Sequence, residues 1–210
     1  MYKLFWDPGS ANMAPHAVLE EIGCPYELVL VDIRNGEHKQ PAYLKLNPNA
    51  RVPTLVDGDK VMYESAAIVL YLAEKHPDAK LMPAPGTAEW MKFLQWLMYL
   101  TNTIQDSFIL YYHPDNFFPD DKSRAALKAA GEERLDKQWS VVDAALAESG
   151  PYLTGASFSA ADLYLHMLAR WSRNCARPAW AFPHIARNLD LVKARPAVQR
   201  MMAQEGLPDF

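Results

Sequence analysis

The apolar and polar positions of this chain follow two patterns, and the change between them falls near residue 76. In the first part, short apolar runs of strand length alternate with stretches of helical periodicity. The predicted strands are 3–6, 26–31, 54–56 and 61–63. One helix lies between the first two strands, with Pro15 in its first turn and Gly23 as its C-terminal cap, and another spans Ser65 to Lys75. This order, β-α-β-(α)-β-β-α, begins with a βαβ unit.

The second part of the chain shows helical periodicity only. Three prolines fall within residues 77–88, which form the predicted linker. Apolar residues then recur every three or four positions over 90–108 and again over 135–146, as expected for long helices. Ser159 and Asp162 have the spacing of a capping box that opens a central helix. The sequence therefore predicts a first domain at 1–76 and an all-α domain at 89–210.

Composition narrows the class of protein. Half of the 210 residues are hydrophobic, so a sizeable core is available, and the net charge of −4 is spread along the chain. This balance argues against a protein that binds nucleic acid or a membrane surface. There is no apolar run of transmembrane length and no signal-peptide pattern, so we expect a cytoplasmic protein. Cys24 and Cys175 are far apart and outside any CxxC motif, which favours buried, reduced thiols without a metal site.

The segment from Asn47 to Lys75 carries the clearest candidate binding chemistry. A proline in the Val52–Pro53 pair cannot donate a ladder hydrogen bond, so this pair fits a sheet edge, a turn or a cis peptide. Ser65 opens a helix whose first N–H groups face outward, which favours an anion. Together these features predict a small ligand with amide and carboxylate groups.

Several motifs resemble those of the cytosolic glutathione S-transferases, and the resemblance covers essentially the whole chain. They are NPNARVPTL, YESAAIVLYL and the SxAD capping box, in this order and spacing. The N-terminal PGSANMAPH is similar to PGACSLAPH of the bacterial beta-type members. The resemblance implies an α+β fold: a thioredoxin-like domain with a mixed four-stranded sheet, followed by an all-α helical bundle. It also implies a cytoplasmic homodimer that uses glutathione as co-substrate in detoxification, without a metal.

The same resemblance implies roles for five residues in holding glutathione. Val52 precedes a cis Pro53 and pairs through its backbone with the cysteinyl part of the peptide. Glu64 and Ser65 hold the γ-glutamyl end, and Arg51 lies where a basic or polar residue meets the glycyl carboxylate. Glutathione carries two carboxylates and one ammonium, so these roles agree with the peptide-like anion expected from the residues themselves.

The candidate catalytic loop departs from the beta-type pattern. Ala11 stands where that pattern has cysteine, so mixed-disulfide chemistry at this position is not available. Ser10 is the first candidate to donate a hydrogen bond to the glutathione sulfur, and Asn12 is the second. Such a donor stabilises thiolate over thiol and lowers the thiol pKa. Ser10 could equally be only a turn residue, and His16 is better interpreted as a satisfied packing histidine than as a base.

A second substrate is expected to bind among aromatic residues of the all-α domain, across a domain cleft from Ser10. The candidates are Tyr99, Gln105, Phe108, Tyr112 and Trp171. Core packing is the simpler account of the aromatic ones. The paired helices over 90–112 and 122–148 are where the resemblance places a two-fold dimer contact.

Three functions follow from these residues. The first is glutathione conjugation to hydrophobic electrophiles, with glutathione peroxidase as a side activity. The second is a glutathione S-transferase-like binding or regulatory protein without catalysis, which the absence of the beta-type cysteine keeps open. The third is a thiol–disulfide reductase, and the lack of a loop cysteine counts against it.

Overall fold

The four strands form one mixed sheet in a computed structural model that describes residues 1–210. The strands are β1 (Tyr2–Trp6), β2 (Tyr26–Leu30), β3 (Thr54–Asp57) and β4 (Lys60–Tyr63). Their order in the sheet is β2-β1-β3-β4, with β1 parallel to β2 and the other two pairings antiparallel. The predicted fold class and all four strands are confirmed, with bounds that differ by one residue.

Nine α-helices accompany the sheet. They are α1 (Met13–Ile22), α2 (Pro41–Leu44), α3 (Ser65–Lys75), α4 (Ala88–Tyr99), α5 (Gln105–Tyr112), α6 (Asp121–Ser149), α7 (Ala160–Trp171), α8 (Pro183–Lys193) and α9 (Pro196–Gln204). The helix predicted from the periodicity over 90–108 is α4 and α5 joined by a π-helical turn, Leu100–Ile104. None of the helices combines the length and the apolar character needed to cross a lipid bilayer.

The alternation of side chains along β1 explains how the sheet packs. Tyr2 and Leu4 are buried while Lys3 between them is exposed, as the period of two requires. Helices α1 and α3 bury their apolar faces in the same unit, with Leu19 and Leu72 fully inaccessible. Helix α1 ends at Gly23, whose φ of 70° is the left-handed conformation that glycine adopts at little cost.

The chain divides into two units, and the division differs from the expected 1–76 and 89–210. One unit comprises Met1–Met82 and Lys193–Asp209; the other comprises Pro83–Val192 and Phe210. The C-terminal segment joins the first unit because α9 and its flanks pack against α1, where Arg195 donates to Glu21 at 2.8 Å. No local sequence pattern could predict this contact, because Arg195 and Glu21 lie 174 residues apart.

Helix α7 lies at the centre of the second unit, as predicted, and all of its residues from Ala160 to Arg170 are buried. The predicted capping box at its start is confirmed. The Asp162 carboxylate accepts hydrogen bonds from the backbone N–H groups of Ser159 and Leu153, both at 2.9 Å, and from Asn188 Nδ2 at 2.9 Å. One carboxylate therefore joins three separate segments.

Both cysteines are free thiols. Cys175 is buried, as expected, and burial raises the pKa of its thiol to about 11. Cys24 is only partly buried, so the expectation of burial is corrected there. It follows Gly23 in the turn that leaves α1, where the chain returns to the surface.

We expect Asp162→Asn to lower the free energy of unfolding by about 3 kcal/mol, because its amide group would face four donors that now share a carboxylate, the Ser159 hydroxyl among them. Urea unfolding of the two proteins measures the difference. Asp120→Asn is the matched control: Asp120 is exposed and caps α6 by accepting from Ser123 N at 2.9 Å. Asparagine caps a helix as well as aspartate, so that change should cost almost nothing. Equal effects of the two substitutions would contradict the central role of Asp162.

Candidate functional site

Three loops of the first unit meet at one edge of the sheet. Thr54 at the start of β3 is paired with Phe5 near the end of β1 and with Tyr63 at the end of β4. The loop that follows β1, the Val52–Pro53 pair that precedes β3, and Glu64–Ser65 after β4 therefore lie side by side. These are the three segments for which the sequence predicts ligand contacts.

The Val52–Pro53 peptide bond is cis, as predicted from the resemblance. Ladder pairing in β3 begins at Thr54, so the backbone of Val52 takes no part in the sheet. The side chain of Val52 is 8 % exposed and packs with Val31 and Tyr43. Val52 is thereby fixed by its side chain, while its peptide groups are left to pair with an extended chain.

Two buried polar residues hold the loop before Val52 in place. Tyr43 Oη donates to the Arg51 carbonyl at 2.6 Å, and Asn47 Nδ2 donates to the same oxygen at 2.8 Å. Tyr43 Oη also lies 2.9 Å from Thr54 Oγ1, and this hydrogen bond connects the loop to the start of β3. Neither Tyr43 nor Asn47 could be found from the sequence, because both donate to a backbone carbonyl, and every residue has one. The Arg51 side chain itself is exposed and forms no ion pair within the chain.

Glu64 and Ser65 occupy the start of α3. Ser65 is the first helical residue and is 5 % exposed, and Glu64 is the N-cap with an exposed side chain. The backbone of Glu64 has φ 75° and ψ 106°, a conformation that costs a non-glycine residue of order 1–3 kcal/mol. Such strain concentrates at sites that bind ligands, and here it turns the chain from β4 into the helix.

The loop of residues 7–12 joins β1 to α1. It contains Ser10 and Asn12, the two candidate hydrogen-bond donors to the ligand's sulfur. Ser10 is half-buried, and its hydroxyl donates to Asp7 Oδ2 at 3.3 Å. Asn12 is fully buried, and its amide is occupied at both ends: Oδ1 accepts from Asp7 N at 3.0 Å and Nδ2 donates to Glu205 at 2.9 Å. Ser10 thus presents a polar atom at the surface of the loop, whereas the Asn12 amide is used to shape it.

Glu205, 4 % exposed, anchors this loop from the far end of the chain. Its Oε2 accepts from Gly9 N at 2.9 Å, and its Oε1 accepts from Asn12 Nδ2 and contacts His16 Nδ1, both at 2.9 Å. The prediction that His16 is a satisfied buried histidine is confirmed, since it is 0 % exposed with both ring nitrogens engaged. Sequence reasoning missed Glu205 entirely, because nothing in the pattern near residue 205 points to residue 9.

The candidate second-substrate residues lie in the other unit, where three of them form one aromatic cluster. Phe108 stacks on Tyr112 with a centroid distance of 5.9 Å and meets Trp171 edge-on at 5.8 Å. Tyr112 Oη also donates to the Trp171 carbonyl. Phe108 is only 2 % exposed, so core packing accounts for it, while Tyr112 and Trp171 are half-buried.

The other two candidates stand apart from this cluster in their contacts. Tyr99 packs edge-on against Trp96 at 5.5 Å. Gln105 follows the π-helical turn and accepts from the hydroxyl of the buried Tyr164. Burial raises the pKa of Tyr99 and of Tyr112 above the usual value for a phenol, so both stay protonated at neutral pH.

No group of three or more histidine, cysteine, aspartate or glutamate side chains is arranged to hold a metal ion. The first unit instead offers a surface with an unpaired backbone segment, a serine hydroxyl and the N-terminal ends of α1 and α3 at the same sheet edge. Both helix ends carry partial positive charge. This arrangement suits a small, extended, anionic peptide.

Comparison with known proteins gives two family models that match this chain. Residues 1–74 match the N-terminal domain of glutathione S-transferase, and residues 111–205 match its C-terminal domain. Glutathione S-transferase GstA of Escherichia coli O157:H7 is 30 % identical over 98 % of this chain and 99 % of that protein. Glutathione S-transferase 3 of Zea mays is 37 % identical over 98 % of this chain and 95 % of that protein.

A solved structure shows the same likeness in three dimensions. The crystal structure of a glutathione transferase homolog from Sulfitobacter, with bound glutathione, superposes with a TM-score of 0.90. It is 27 % identical in sequence, and the match covers 99 % of each chain.

We expect Glu205→Gln to lower the free energy of unfolding by about 3 kcal/mol, because glutamine cannot accept from Gly9, Asn12 and His16 together. The amide hydrogen of Gly9 should also exchange faster. Glu21→Gln is the control, since Glu21 pairs with Arg195 between the same two elements but at the partly exposed surface. It should cost about 1 kcal/mol or less. If the control costs as much, or if Gly9 exchange is unchanged, Glu205 does not anchor the loop.

Proposed function

The chain belongs to the glutathione S-transferase family, and we propose that Ser10 activates the thiol of glutathione for attack on a hydrophobic electrophile. The transferase activity and the use of glutathione as co-substrate follow from the family. What we propose is which residues bind glutathione, activate its thiol and bind the electrophile. The observation that carries this proposal is the pairing of Thr54 with Phe5 and Tyr63, which brings the loop after β1, the Val52–Pro53 pair and the start of α3 to one edge of the sheet.

Glutathione is proposed to lie along the backbone of Val52. Its cysteinyl amide and carbonyl would pair antiparallel with the Val52 peptide groups, which the sheet does not use. Tyr43 and Asn47 support this pairing, because they hold the Arg51 carbonyl and so fix the loop before the ligand binds. A backbone held in its bound conformation loses less entropy on binding.

The ends of glutathione are proposed to be held by charge. Ser65 and the N-terminal end of α3 would bind the γ-glutamyl carboxylate, since helix N-termini favour anions. The exposed Glu64 would bind the neighbouring ammonium group. The exposed Arg51, which has no partner of opposite charge within the chain, would bind the glycyl carboxylate at the other end.

The thiol of glutathione would then face the loop that follows β1. A hydrogen bond from the Ser10 hydroxyl stabilises the thiolate, and the N-terminal end of α1 adds positive potential. The thiol proton leaves to solvent. The sulfur lone pair then forms a bond to the electrophilic carbon, and the leaving group departs with the electrons of the bond that breaks. Asn12, proposed at the outset as a second sulfur ligand, supports this step better as a shaping residue, since its amide is engaged at both ends.

We expect Ser10→Ala to raise the pKa of the thiol of bound glutathione by about one unit, because a charged hydrogen bond is lost. The conjugation rate at pH values well below that pKa should fall about tenfold, with little change in glutathione affinity. The ultraviolet absorbance of the bound thiolate, followed against pH, measures this pKa directly.

Ser65→Ala is the matched control, because it removes the same hydroxyl from the proposed carboxylate site. It should weaken glutathione binding about tenfold and leave the thiol pKa where it was. The assignment of Ser10 fails if the thiol pKa does not rise in Ser10→Ala. Tight glutathione binding without turnover by the unaltered protein would instead favour the non-catalytic alternative.

The electrophile is proposed to bind at the half-buried aromatic residues of the second unit. Tyr112 and Trp171 support this best, since they offer partly exposed rings within a packed cluster that limits their motion. Gln105 and Tyr99 are proposed as further contacts on the same helical stretch. We also propose that the protein is a homodimer through α4 and α6, where Met91, Met98 and Val141 are exposed apolar side chains.

Replacing Tyr112 with alanine should raise KM for a hydrophobic electrophile about tenfold, because a large apolar contact is lost. KM for glutathione should not change. Tyr112→Phe separates the ring from the hydroxyl that bonds the Trp171 carbonyl and should retain most of the affinity. Steady-state kinetics with each substrate varied in turn measures both constants. An unchanged electrophile KM in Tyr112→Ala would place the second substrate elsewhere.

A further inference from the structure

Asp7 lies between the end of β1 and the proposed catalytic serine. Its backbone carbonyl accepts from Ser10 N at 3.1 Å, and its carboxylate Oδ2 lies 3.3 Å from Ser10 Oγ. The second carboxylate oxygen faces the N–H of Ile33 at 3.5 Å. The turn from Asp7 to Ser10 is therefore closed twice, once by backbone and once by side chains.

The hydrogen bond between the Ser10 hydroxyl and the Asp7 carboxylate can have only Ser10 as its donor. A carboxylate accepts hydrogen bonds and cannot donate, so the single hydroxyl proton of Ser10 points to Asp7. A thiolate is also an acceptor. The Ser10 hydroxyl cannot give the same proton to Asp7 and to the sulfur of glutathione at full strength.

We propose that Asp7 is a positioning residue that competes with the glutathione sulfur for the hydroxyl proton of Ser10. This inference rests on the proposed contact between Ser10 and the sulfur. While Asp7 holds the proton, Ser10 turns an oxygen lone pair toward the ligand and accepts from the neutral thiol. Thiolate forms when the hydroxyl rotates away from Asp7, so Asp7 opposes the activation that Ser10 provides.

The charges around Asp7 do not cancel this effect. The carboxylate forms no ion pair within the chain. The titratable groups that contact its loop, or flank a residue that does, are Asp32 and Arg34 beside Ile33, His16 on α1, and Glu205, which binds Gly9. His16 is paired with Glu205. The negative charge of Asp7 and the hydrogen bond that Asp7 takes from Ser10 therefore both disfavour the thiolate.

A structural role alone does not require a carboxylate at this position. The backbone bond from Ser10 N to the Asp7 carbonyl closes the turn with any side chain. An asparagine would keep an oxygen for the N–H of Ile33 and present its NH₂ group to Ser10 Oγ. The Ser10 hydroxyl would then accept from residue 7 and direct its own proton to the sulfur.

The test is Asp7→Asn with glutathione bound, followed by the absorbance of the thiolate against pH. The pKa of the glutathione thiol should fall by about one unit, which raises the thiolate fraction about tenfold at pH values well below that pKa. Conjugation at slightly acid pH should accelerate by a similar factor. Glutathione affinity and the midpoint of thermal unfolding should stay close to those of the unaltered protein.

Asp32→Asn is the charge-matched control, because it neutralises a neighbouring carboxylate whose bonds go to Asn35 and not to Ser10. It should leave the thiol pKa unchanged. The same Asp7→Asn change made in the Ser10→Ala background should shift the pKa far less than in the unaltered protein. That difference identifies the shared proton.

Three outcomes overturn the inference. If Ser10→Ala raises the thiol pKa but Asp7→Asn leaves it unchanged or raises it, Asp7 does not compete for the proton, and the role of Ser10 stands. If Asp7→Asn lowers the pKa equally with and without Ser10, charge alone is responsible. If Ser10→Ala has no effect at all, the proposed role of Ser10 fails first, and the inference falls with it.

Discussion

The register at Thr54 is the constraint on which the rest of the first unit depends. Thr54 is paired with Phe5 on one side and Tyr63 on the other, and its own side chain is fully buried. Because a slip of one residue would turn every side chain of β3 to the other face, the apolar core specifies this pairing strongly. The three loops proposed to bind glutathione are therefore aligned by hydrophobic packing, although none of the groups proposed to contact the ligand is hydrophobic.

Elements with a local signal could be predicted from the sequence. The strand around Leu4 has an alternating pattern, α3 begins at a serine after a strand, and the capping box of α7 has its spacing within four residues. The cis bond before Pro53 came from the family resemblance, since a Val–Pro pair alone fits several structures. In each case the information lies within a few residues of the feature it predicts.

The groups that shape the site could not be predicted because their partners are distant or are backbone atoms. Glu205 binds Gly9 and Asn12 across more than 190 residues. Tyr43 and Asn47 bind a carbonyl, which every residue has. Asn12 is predicted as a donor to the sulfur because its side chain is polar, and in the structure both ends of its amide are bonded within the protein. Polarity in a catalytic loop does not distinguish a group that meets substrate from one that positions the loop.

These contacts give the loop of residues 7–12 two different kinds of restraint. Gly9 and Asn12 are fixed by a buried carboxylate, and such bonds are costly to break because water cannot replace them. The bond from Ser10 to Asp7 is longer, lies in a half-buried position and can exchange with a ligand at little cost. Buried hydrogen bonds thus hold the backbone of the loop, while the hydroxyl of Ser10, the proposed catalytic group, can rotate. In its proposed role Ser10 donates a hydrogen bond to a thiolate, and this requires that the backbone of its loop keeps a fixed position. The Glu205 carboxylate holds that backbone through Gly9 and Asn12.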